Sequence, residues 1–514
     1  MSAELLVRRF AQVTETPNAI ARLRRFLIDL AVSGRLGDDR DKPIRIGWPY
    51  APLGDLVDLR YGKGLAQADR TPEGPVAVYG SNGIVARTHT ALADAPSIIV
   101  GRKGSAGALR MADEPSWTTD VAYYIEPPPS FDIRFLFFAL QSLRLESLGK
   151  GVKPGLSRSD AYPLLLPQPP LTDQRRIVAM VDALMALCDE LEAAQTHREA
   201  RRDRVRATSL RNLVAPEEPK ENARFFLRHS ARMITSPEHV AGVRQAIWDL
   251  AVRGRLVPQD SADGAAKDLL GQILRLKSRT TSSRPRANSE LTASNSSAAC
   301  QLPESWTWAQ WQDVTLRIGD LDHAMPEAVA TEGYPYVSPR DFRPNNVIDF
   351  DGAKRISASD YLRLSAKIRP ERGDLIYPRY GTIGETRLVS TDREFLASYS
   401  CAVIKISDEL TDSRYQYTFS RSDIGQVQAA AAVNQGTQPN VGIMSIKAFR
   451  FPLPPLAEQR RIVAKVDELM ALCNELEQSL AAEQTKRARL LEALLHDVLE
   501  DPLSAREREP LGAR

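Results

Sequence analysis

The sequence predicts an α+β protein made by internal duplication, in which a mixed globular domain followed by a long helix occurs twice with pseudo-two-fold symmetry. Three observations predict this fold class. One helical motif repeats at an offset of 285 residues, a second helical motif repeats at an offset of 220, and two β-rich segments lie between the repeated helices. Because self-similarity of this extent marks duplicated structural units, we expect two copies of one architecture.

The first repeat predicts two long helices. Residues 169–192, PPLTDQRRIVAMVDALMALCDELE, and residues 454–477, PPLAEQRRIVAKVDELMALCNELE, differ at only five positions. Apolar residues recur every three or four positions, which places them in one stripe along a helix. The stripes are Ile177, Val181, Leu184, Cys188 and Leu191 in the first copy and Ile462, Val466, Leu469, Cys473 and Leu476 in the second. Both helices continue beyond the repeat, and about forty residues make a rod of roughly 60 Å. We expect the two rods to form an antiparallel coiled-coil spacer.

The second repeat predicts two shorter helices. Residues 24–36, RRFLIDLAVSGRL, return as residues 244–256, RQAIWDLAVRGRL. A hydroxyl residue followed by proline is typical of a helix start, and glycine is typical of a helix end. These signals are Thr16-Pro17 and Gly34 in the first copy and Ser236-Pro237 and Gly254 in the second. We therefore expect two helices of about twenty residues each.

The β-rich segments are here called the first head, residues 44–168, and the second head, residues 301–453. Both open with a tryptophan-containing stretch and continue as short β-branched or aromatic runs broken by Gly, Pro and Asn. The pattern Ile-x-x-Arg-x-Gly-x-x-Gly occurs in both, at 99–107 and at 376–384. A Gly-x-x-Pro turn closes each head, at 151–154 and at 436–439. We expect each head to hold a twisted sheet with small helices.

Taken along the chain, these signals divide it into seven segments. They are an N-terminal helical repeat (1–43), the first head (44–168), a central long helix (169–215), a second helical repeat with a short helix near 265–277 (216–277), a Ser/Thr-rich unstructured linker (278–300), the second head (301–453) and a C-terminal long helix (454–514).

Composition restricts the class of protein. The 68 basic and 65 acidic side chains give a net charge of only +3, so any contact with nucleic acid must come from local basic patches. The start of the chain has no signal-peptide pattern, and no run of eighteen apolar residues predicts a membrane span. The four cysteines are far apart and form no CxxC pair, which argues against a zinc site or a disulfide framework. We expect a cytoplasmic protein.

At this point the residues carry a family resemblance. The paired PPL-[TA]-[DE]-QRRIVA-x-VD-x-LMALC helices, the L-A-V-x-G-R-L segments and the tryptophan-containing openings resemble the specificity subunits of type I restriction-modification systems. The similarity covers nearly the whole chain. It implies that each head is a target recognition domain for one half of a bipartite DNA site and that the long helices fix the distance between the half-sites. The heads differ in sequence, so we expect an asymmetric site, and roughly 60 Å is nearly two turns of DNA.

The resemblance also implies partners. In that family two modification (methyltransferase) subunits dock on the helical regions, restriction subunits bind to these, and the complex methylates adenine or cleaves unmethylated DNA. S-adenosylmethionine, ATP and Mg would then belong to partner subunits, with no cofactor bound by this chain. The arginine pairs of the long helices are candidate partner-binding residues, or simply solvated residues of an amphipathic helix; they are Arg175, Arg176, Arg460 and Arg461.

Candidate DNA-binding residues lie in the turns of the heads. Arg, Lys, Asn, Gln and Ser side chains suit both phosphate contacts and hydrogen bonds to base edges. The candidates are Lys63, Ser81, Asn82, Arg102, Lys103, Lys150 and Lys153 in the first head and Arg379, Tyr380, Gln435, Gln438 and Asn440 in the second. For each one, an ordinary surface loop is the alternative interpretation.

The sequence offers no catalytic or metal site. The diprolines lack the [DNS]-PP-[YFW] pattern of amino-methyltransferases, no Walker A lysine is present, and the six histidines show no ligand spacing. The glycine-rich stretch 101–107 predicts a hairpin turn and not a phosphate cradle. Three alternatives stay open: a non-DNA coiled-coil interaction scaffold, a silent specificity allele, and a type II enzyme with fused nuclease and methyltransferase modules, which the missing motifs disfavour.

Overall fold

The computed structural model describes residues 18–35, 48–94, 96–151, 154–215, 217–280, 301–322, 325–329, 332–436 and 438–499. The chain divides into two compact units. The first unit is Met1–Ala200 with Glu483–Arg514, and the second is Arg201–Ala482. Each unit contains one head, one short helical repeat and a stretch of both long helices. The helix starts expected at Thr16-Pro17, the end of the N-terminal repeat at 36–43 and most of the 278–300 linker fall outside the described residues.

Helices lie within each head, flank it and connect the two halves of the chain. In the first half they are α1 (Ala19–Val32), α2 (Leu53–Leu56), α3 (Ile133–Ser142), α4 (Arg158–Ala161) and the long α5 (Leu171–Val214). In the second half they are α6 (Pro219–Met233), α7 (Val240–Ala251), α8 (Ala266–Thr280), α9 (Ala358–Ser365), α10 (Ser413–Arg421), α11 (Asp423–Ala431), α12 (Ile443–Ala448) and the long α13 (Leu456–Leu499).

The strands are short, as the frequent Gly, Pro and Asn residues predicted. The first head has β1 (Tyr50–Pro52), β2 (Arg60–Tyr61), β3 (Val76–Tyr79), β4 (Ile84–Thr88), β5 (Ser97–Gly101), β6 (Leu109–Ala112), β7 (Ser116–Thr118), β8 (Ala122–Ile125) and β9 (Leu165–Pro167). The second has β10 (Thr307–Gln310), β11 (Arg317–Gly319), β12 (Tyr334–Val337), β13 (Phe342–Arg343), β14 (Val347–Ile348), β15 (Lys354–Ile356), β16 (Leu375–Pro378), β17 (Arg387–Leu388), β18 (Leu396–Ala397), β19 (Cys401–Lys405), β20 (Val433–Asn434), β21 (Asn440–Val441) and β22 (Arg450–Leu453).

The two heads share one sheet topology, which confirms the duplication. A four-stranded antiparallel sheet has the order β2-β8-β5-β6 in the first head and β11-β19-β16-β17 in the second. A three-stranded sheet follows as β4-β3-β7 and β15-β12-β18, each with one antiparallel and one parallel pair. A two-stranded ribbon closes each head, β1-β9 and β10-β22. The second head adds the pairs β13-β14 and β20-β21.

The inner strands of the four-stranded sheets form the centre of each head. Strands β5 and β8 are buried along their whole length, as is β16, and β19 is buried except at its last residue. Continuous apolar runs of this kind suit strands that are covered on both faces. The turns that follow β5 and β16 therefore start from buried central strands.

The short repeated helices end at glycine as expected. Gly34 has φ 73° and Gly254 has φ 68°, the left-handed conformation that glycine adopts without a Cβ penalty. The N–H of Arg35 donates to the Leu30 carbonyl at 2.9 Å, and the N–H of Arg255 donates to the Leu250 carbonyl at 3.0 Å. At the other end of the second copy, Pro237–His239 forms a 3-10 turn before the α-helix starts at Val240.

The two long helices each contain 44 residues; the predicted stripes are buried at Ile177, Val181 and Cys188 and at Ile462, Val466 and Cys473, whereas Leu476 is exposed. Ile177 and Val181 are fully buried in the core of the first unit, and Ile462 has the same place in the second. In the first unit, Leu491 near the end of α13 joins the same hydrophobic cluster as Cys188 of α5. In the second unit, residues near the end of α5 join the cluster that contains the start of α13. Within each unit the beginning of one long helix therefore packs in one core with the end of the other, as antiparallel pairing requires.

Buried glutamines attach each long helix to its head. The Gln174 Oε1 accepts the N–H of Asp132 at 2.7 Å, while its Nε2 donates to the carbonyls of Ser130 and Pro169 at 2.9 and 2.8 Å. Gln459 repeats the arrangement in the second unit with the N–H of Asp412 at 2.9 Å and the Pro454 carbonyl at 2.9 Å. We call these two glutamines the helix anchors. They fix where each head sits on its own helix.

Candidate nucleic-acid interface

Two loops meet at one edge of the first head. The turn after β5 carries Arg102 and Lys103, and the segment before α4 carries Lys150 and Gly155. The N–H of Leu156 donates to the Arg102 carbonyl at 2.8 Å, and the backbone of Gly155 forms isolated β-bridges with Lys103 and with Lys150. Lys103 and Lys150 are exposed, and the Lys150 ammonium lies 3.0 Å from an Asp160 carboxylate oxygen. These predicted residues therefore lie together. Lys153 lies outside the described residues.

The remaining candidates of the first head flank this edge. Ser81 lies against the start of the 101–107 turn, because a Cβ placed on Gly101 would be only 2.5 Å from the Ser81 carbonyl oxygen. Asn82 is exposed, and its Oδ1 accepts a hydrogen bond from Arg110 at 2.9 Å. Lys63 is exposed, and its carbonyl accepts the indole N–H of Trp117 at 2.9 Å. The β3–β4 hairpin and the β5 turn thus belong to one surface.

The second head builds the same edge with different side chains. The N–H of Val441 donates to the Arg379 carbonyl at 3.0 Å, and Tyr380 bridges to Asn440. These bonds occupy the positions of Leu156 to Arg102 and of Lys103 to Gly155 in the first head. The backbone frame is therefore duplicated together with the sequence motif. Gln435 and Gln438 are exposed at this edge, and the Asn440 Nδ2 donates to the Gln438 carbonyl at 3.0 Å.

Glycine is required in the first of these turns. Gly107 has φ 78°, and a Cβ at this position would lie 2.2 Å from the backbone nitrogen of Glu146. Its counterpart Gly384 also has φ 78°. Because any other residue would be strained at this φ, the second glycine of the Arg-x-Gly-x-x-Gly pattern fixes the path of the loop.

Arg379 differs from the other candidates in its burial. Its side chain is only 6% exposed, its Nε donates to the Val441 carbonyl at 3.0 Å, and its Nη1 pairs with Asp320. The sequence interpretation placed this arginine among exposed loop residues. A contact between Arg379 and DNA stays a prediction, and it requires the guanidinium to leave these partners.

The structure adds two residues that the sequence analysis did not identify, Tyr61 and Arg158. The Tyr61 ring, 50% exposed, lies beneath the guanidinium of Arg102 at 5.0 Å and that of Arg158 at 4.1 Å. Such cation–π contacts hold a guanidinium by its flat face. Burial raises the pKa of the neighbouring Tyr123 phenol, and its interaction with Tyr61 adds to this rise. An aromatic residue two positions before Lys63 was a signal in the sequence that could have indicated Tyr61.

The arginine pairs at the start of the long helices are not equivalent. Arg175 and Arg460 are exposed, whereas Arg176 and Arg461 are half-buried. Both terminal nitrogens of Arg461 contact the Asp263 carboxylate at 2.7 Å. The hydrogen bond from this guanidinium lowers the pKa of Asp263. Docking of partner subunits by these four arginines stays a prediction.

Three further findings bear on the kind of site. Among the described residues, no group of three or more His, Cys, Asp or Glu side chains could hold a metal ion. In the same part of the chain, no helix is both long enough and apolar enough to cross a membrane. Cys188, Cys401 and Cys473 are buried free thiols, and burial raises the pKa of each.

The two heads share one backbone frame but carry different loop side chains, and a long helix is attached to each. These features define a duplicated recognition protein without a metal site in its described part. The family model of the type I restriction modification DNA specificity domain matches residues 45–200 and 322–484, more than half of the chain. The chain belongs to this family, which confirms the resemblance seen in its sequence.

The chain is similar to proteins that are named as specificity subunits or as an HsdS subunit. The chain is 27% identical over 354 residues to the type I restriction enzyme EcoAI specificity subunit and 24% identical over 400 residues to the EcoEI specificity subunit, both of Escherichia coli. These alignments cover 64% and 71% of this chain, and 57% and 64% of the relatives. A solved structure, the HsdS subunit from Thermoanaerobacter tengcongensis, matches with 16% identity and a TM-score of 0.36, over 90% of this chain and 98% of that one.

Proposed function

We propose that this chain is the sequence-specific DNA-binding subunit of a type I restriction-modification complex, and that each head recognises one half of an asymmetric bipartite site. The observation that carries this proposal is the duplicated loop edge. Lys103 and Lys150 stand on it in the first head, and Tyr380, Gln435 and Gln438 stand on it in the second. Different side chains on one frame suit two different half-sites, because each base pair presents its own pattern of donors and acceptors in the major groove.

In this proposal the chain carries no catalytic residue and binds no cofactor. Adenine-N6 methylation and ATP-dependent cleavage take place in partner subunits, which bind S-adenosylmethionine, ATP and Mg. The sequence supports this division, because it has neither the diproline motif of an amino-methyltransferase nor a Walker A lysine. The names of the E. coli relatives, specificity subunits of type I restriction enzymes, support it as well.

Two modification subunits dock on the two helical repeats, and restriction subunits join the complex through them. Two nearly identical helical surfaces offer two equivalent docking sites to two copies of one partner. The exposed Arg175 and Arg460 occupy the same position in the two repeats, so they are the first residues to test. Arg176 and Arg461 are weaker candidates, since Arg461 already pairs with Asp263 within the chain.

A map of modified bases tests the proposal. Genomic DNA is compared from cells that express the modification subunit with this chain and without it. We expect a new, asymmetric, bipartite adenine-methylation motif that depends on the chain. An unchanged methylation pattern, with the modification subunit soluble and co-purifying with the chain, would contradict DNA recognition and favour an interaction scaffold or a silent allele.

A further inference from the structure

The loop arginine of each head has a different neighbour. In the first head, Arg102 lies with its guanidinium over the Tyr61 ring, and its Nη1 donates to the Asp120 carbonyl at 2.7 Å. In the second head, the aligned Arg379 forms an ion pair with Asp320. Arg102 is half-buried, while Arg379 is 6% exposed. Both arginines have an aromatic neighbour, since Arg379 lies 5.8 Å from the Tyr380 ring centroid, but only Arg379 also pairs with a carboxylate among the described residues.

Tyr61 and Asp320 occupy the same position in the duplicated sheets. In the first head, β2 pairs with β8 so that Tyr61 lies opposite Tyr123, and Tyr123 lies opposite Val100 of β5. The counterpart of Val100, two residues before Arg102, is Tyr377, two residues before Arg379.

In the second head, Tyr377 lies opposite Ala402, and Gly319 of β11 lies opposite the next residue, Val403. Because the pairing is antiparallel, Asp320, which follows Gly319, takes the position opposite Ala402. The exchange of Tyr61 for Asp320 is therefore a substitution at one site of the duplicated frame.

A second substitution reinforces the difference in charge. Arg158 lies over the Tyr61 ring from the other loop of the first head, two residues after Leu156. The residue two positions after the equivalent Val441 is Ile443. The first head therefore places two guanidiniums on one ring, with the exposed Asp58 carboxylate 3.9 Å from Arg158. The second head has one arginine neutralised by one aspartate.

We propose that the residue at the Tyr61 and Asp320 position decides whether the loop arginine of each head contacts DNA. An aromatic face leaves the edge donors of Arg102 other than the Nη1 that is bonded to the Asp120 carbonyl able to meet a phosphate or the O6 and N7 atoms of guanine. A carboxylate instead engages those donors and keeps the arginine in the fold. Arg102 then contacts DNA in the first head, Arg379 stays in the fold without contacting DNA, and Tyr61 is the residue that positions Arg102. This inference rests on the proposed function.

The test measures binding of the complex of this chain and its modification subunits to the duplex found in the methylation map. Arg102→Gln should weaken binding about tenfold or more, the effect of losing one good arginine contact. Tyr61→Asp, which gives the first head the carboxylate of the second, should weaken binding to the same extent. Tyr61→Phe retains the ring and should bind like the parent. In the double variant Tyr61→Asp/Arg102→Gln we expect no further loss, because both changes remove one contact.

Two readouts separate this role from a structural one. The dependence of affinity on salt should become shallower by about one phosphate contact if Arg102 binds the backbone. If Arg102 binds a base, the salt dependence should stay the same and discrimination should relax at one position of the first half-site. In either case discrimination at the second half-site and the midpoint of thermal unfolding should stay at parental values.

The second head supplies the matched control. The double variant Arg379→Gln/Asp320→Asn replaces the ion pair with two neutral polar side chains and should bind DNA within about twofold of the parent. The inference is overturned if Arg102→Gln binds like the parent, if Tyr61→Phe fails in the same way as Tyr61→Asp, or if the second-head variant loses affinity while it remains folded. If the unaltered complex does not bind the mapped duplex, the proposed function and this inference both fail. If the unaltered complex binds the duplex and Arg102→Gln binds it equally well, only this inference is overturned.

Discussion

Replacing the first helix anchor, Gln174→Leu, should destabilise the first unit without changing any exposed residue. The side chain is 1% exposed and makes three hydrogen bonds, all to backbone atoms. Leucine has a similar volume, so the main effect is to leave those backbone groups without their partner. The Pro169 carbonyl is fully buried in its bond, while the Asp132 N–H and the Ser130 carbonyl are in part-buried bonds that water can partly replace.

The size of the effect follows from this difference in burial. A buried polar group left unsatisfied costs roughly 1–3 kcal/mol, and a bond replaced by water costs about 0.5–1 kcal/mol. One group of the first kind and two of the second give a loss of about 2–5 kcal/mol in the free energy of unfolding. For a unit of this size, each kcal/mol lowers the melting temperature by roughly 2–4 °C. We therefore expect a fall of about 5–15 °C.

Thermal unfolding of the full-length chain, followed by circular dichroism, measures this change. Gln459→Leu should lower the transition of the second unit in a comparable way, since Gln459 makes the same bonds to Asp412 and Pro454. Gln195→Leu is the control, because Gln195 bonds only to Glu199 on the surface of the same helix. A fall of less than 2 °C in Gln174→Leu, equal to that of the control, would refute the assignment of Gln174 as an anchor.

Three further predictions concern pH, the turn and the helix. Burial raises the pKa of Asp249 to about 6, so the folded state favours the protonated carboxyl, and the resulting stability is present below pH 3.8 and lost as the pH rises through about 6. Asp249→Asn should flatten this dependence in melts at different pH values and add up to about 3 kcal/mol to the free energy of unfolding at pH 7. An unchanged pH profile would contradict this prediction. Gly107→Ala should lower the stability of the first head by about 2 kcal/mol more than Gly104→Ala, because both have positive φ but only a Cβ at 107 meets backbone, at 2.2 Å from Glu146; equal melting temperatures would disprove the clash. Inserting four residues, about one turn, into the 172–213 helix should change the spacer in the methylation motif and preserve both half-sites, whereas an unchanged spacer would count against the helix as a ruler.

The features predicted correctly from sequence are those that depend on local periodicity and on repetition. The stripe that begins at Ile177 and the helix ends at Gly34 and Gly254 follow from spacing and from the conformational freedom of glycine. The repeated Arg-x-Gly-x-x-Gly motif is a turn in both heads, with positive φ at each of its glycines. In each of these cases the residues that determine the structure lie within a few positions of one another in the sequence.

The features missed depend on partners that are distant in sequence. Arg102 and Arg379 stand in the same local motif, so nothing near either one shows that only Arg379 is buried. The difference comes from Tyr61 and Asp320, which lie 41 and 59 positions earlier in the chain and meet the arginines only after the sheets form. The role of Gln174 was hidden for the same reason, since its hydrogen bond to Asp132 spans 42 positions.

The helix anchors have a consequence for how such a protein can diversify. Gln174 and Gln459 bind only backbone N–H and carbonyl groups of the adjoining turns, and a backbone group is the same whatever side chain it carries. This part of the joint between head and helix therefore does not depend on the side chains of the turn, whereas the ion pairs of Arg134 with Asp182 and of Arg414 with Asp467 do depend on side chains of the head. Side chains on the loop edge can therefore change while the anchors and these ion pairs keep each head attached to its helix, so new specificities can arise on an unchanged frame.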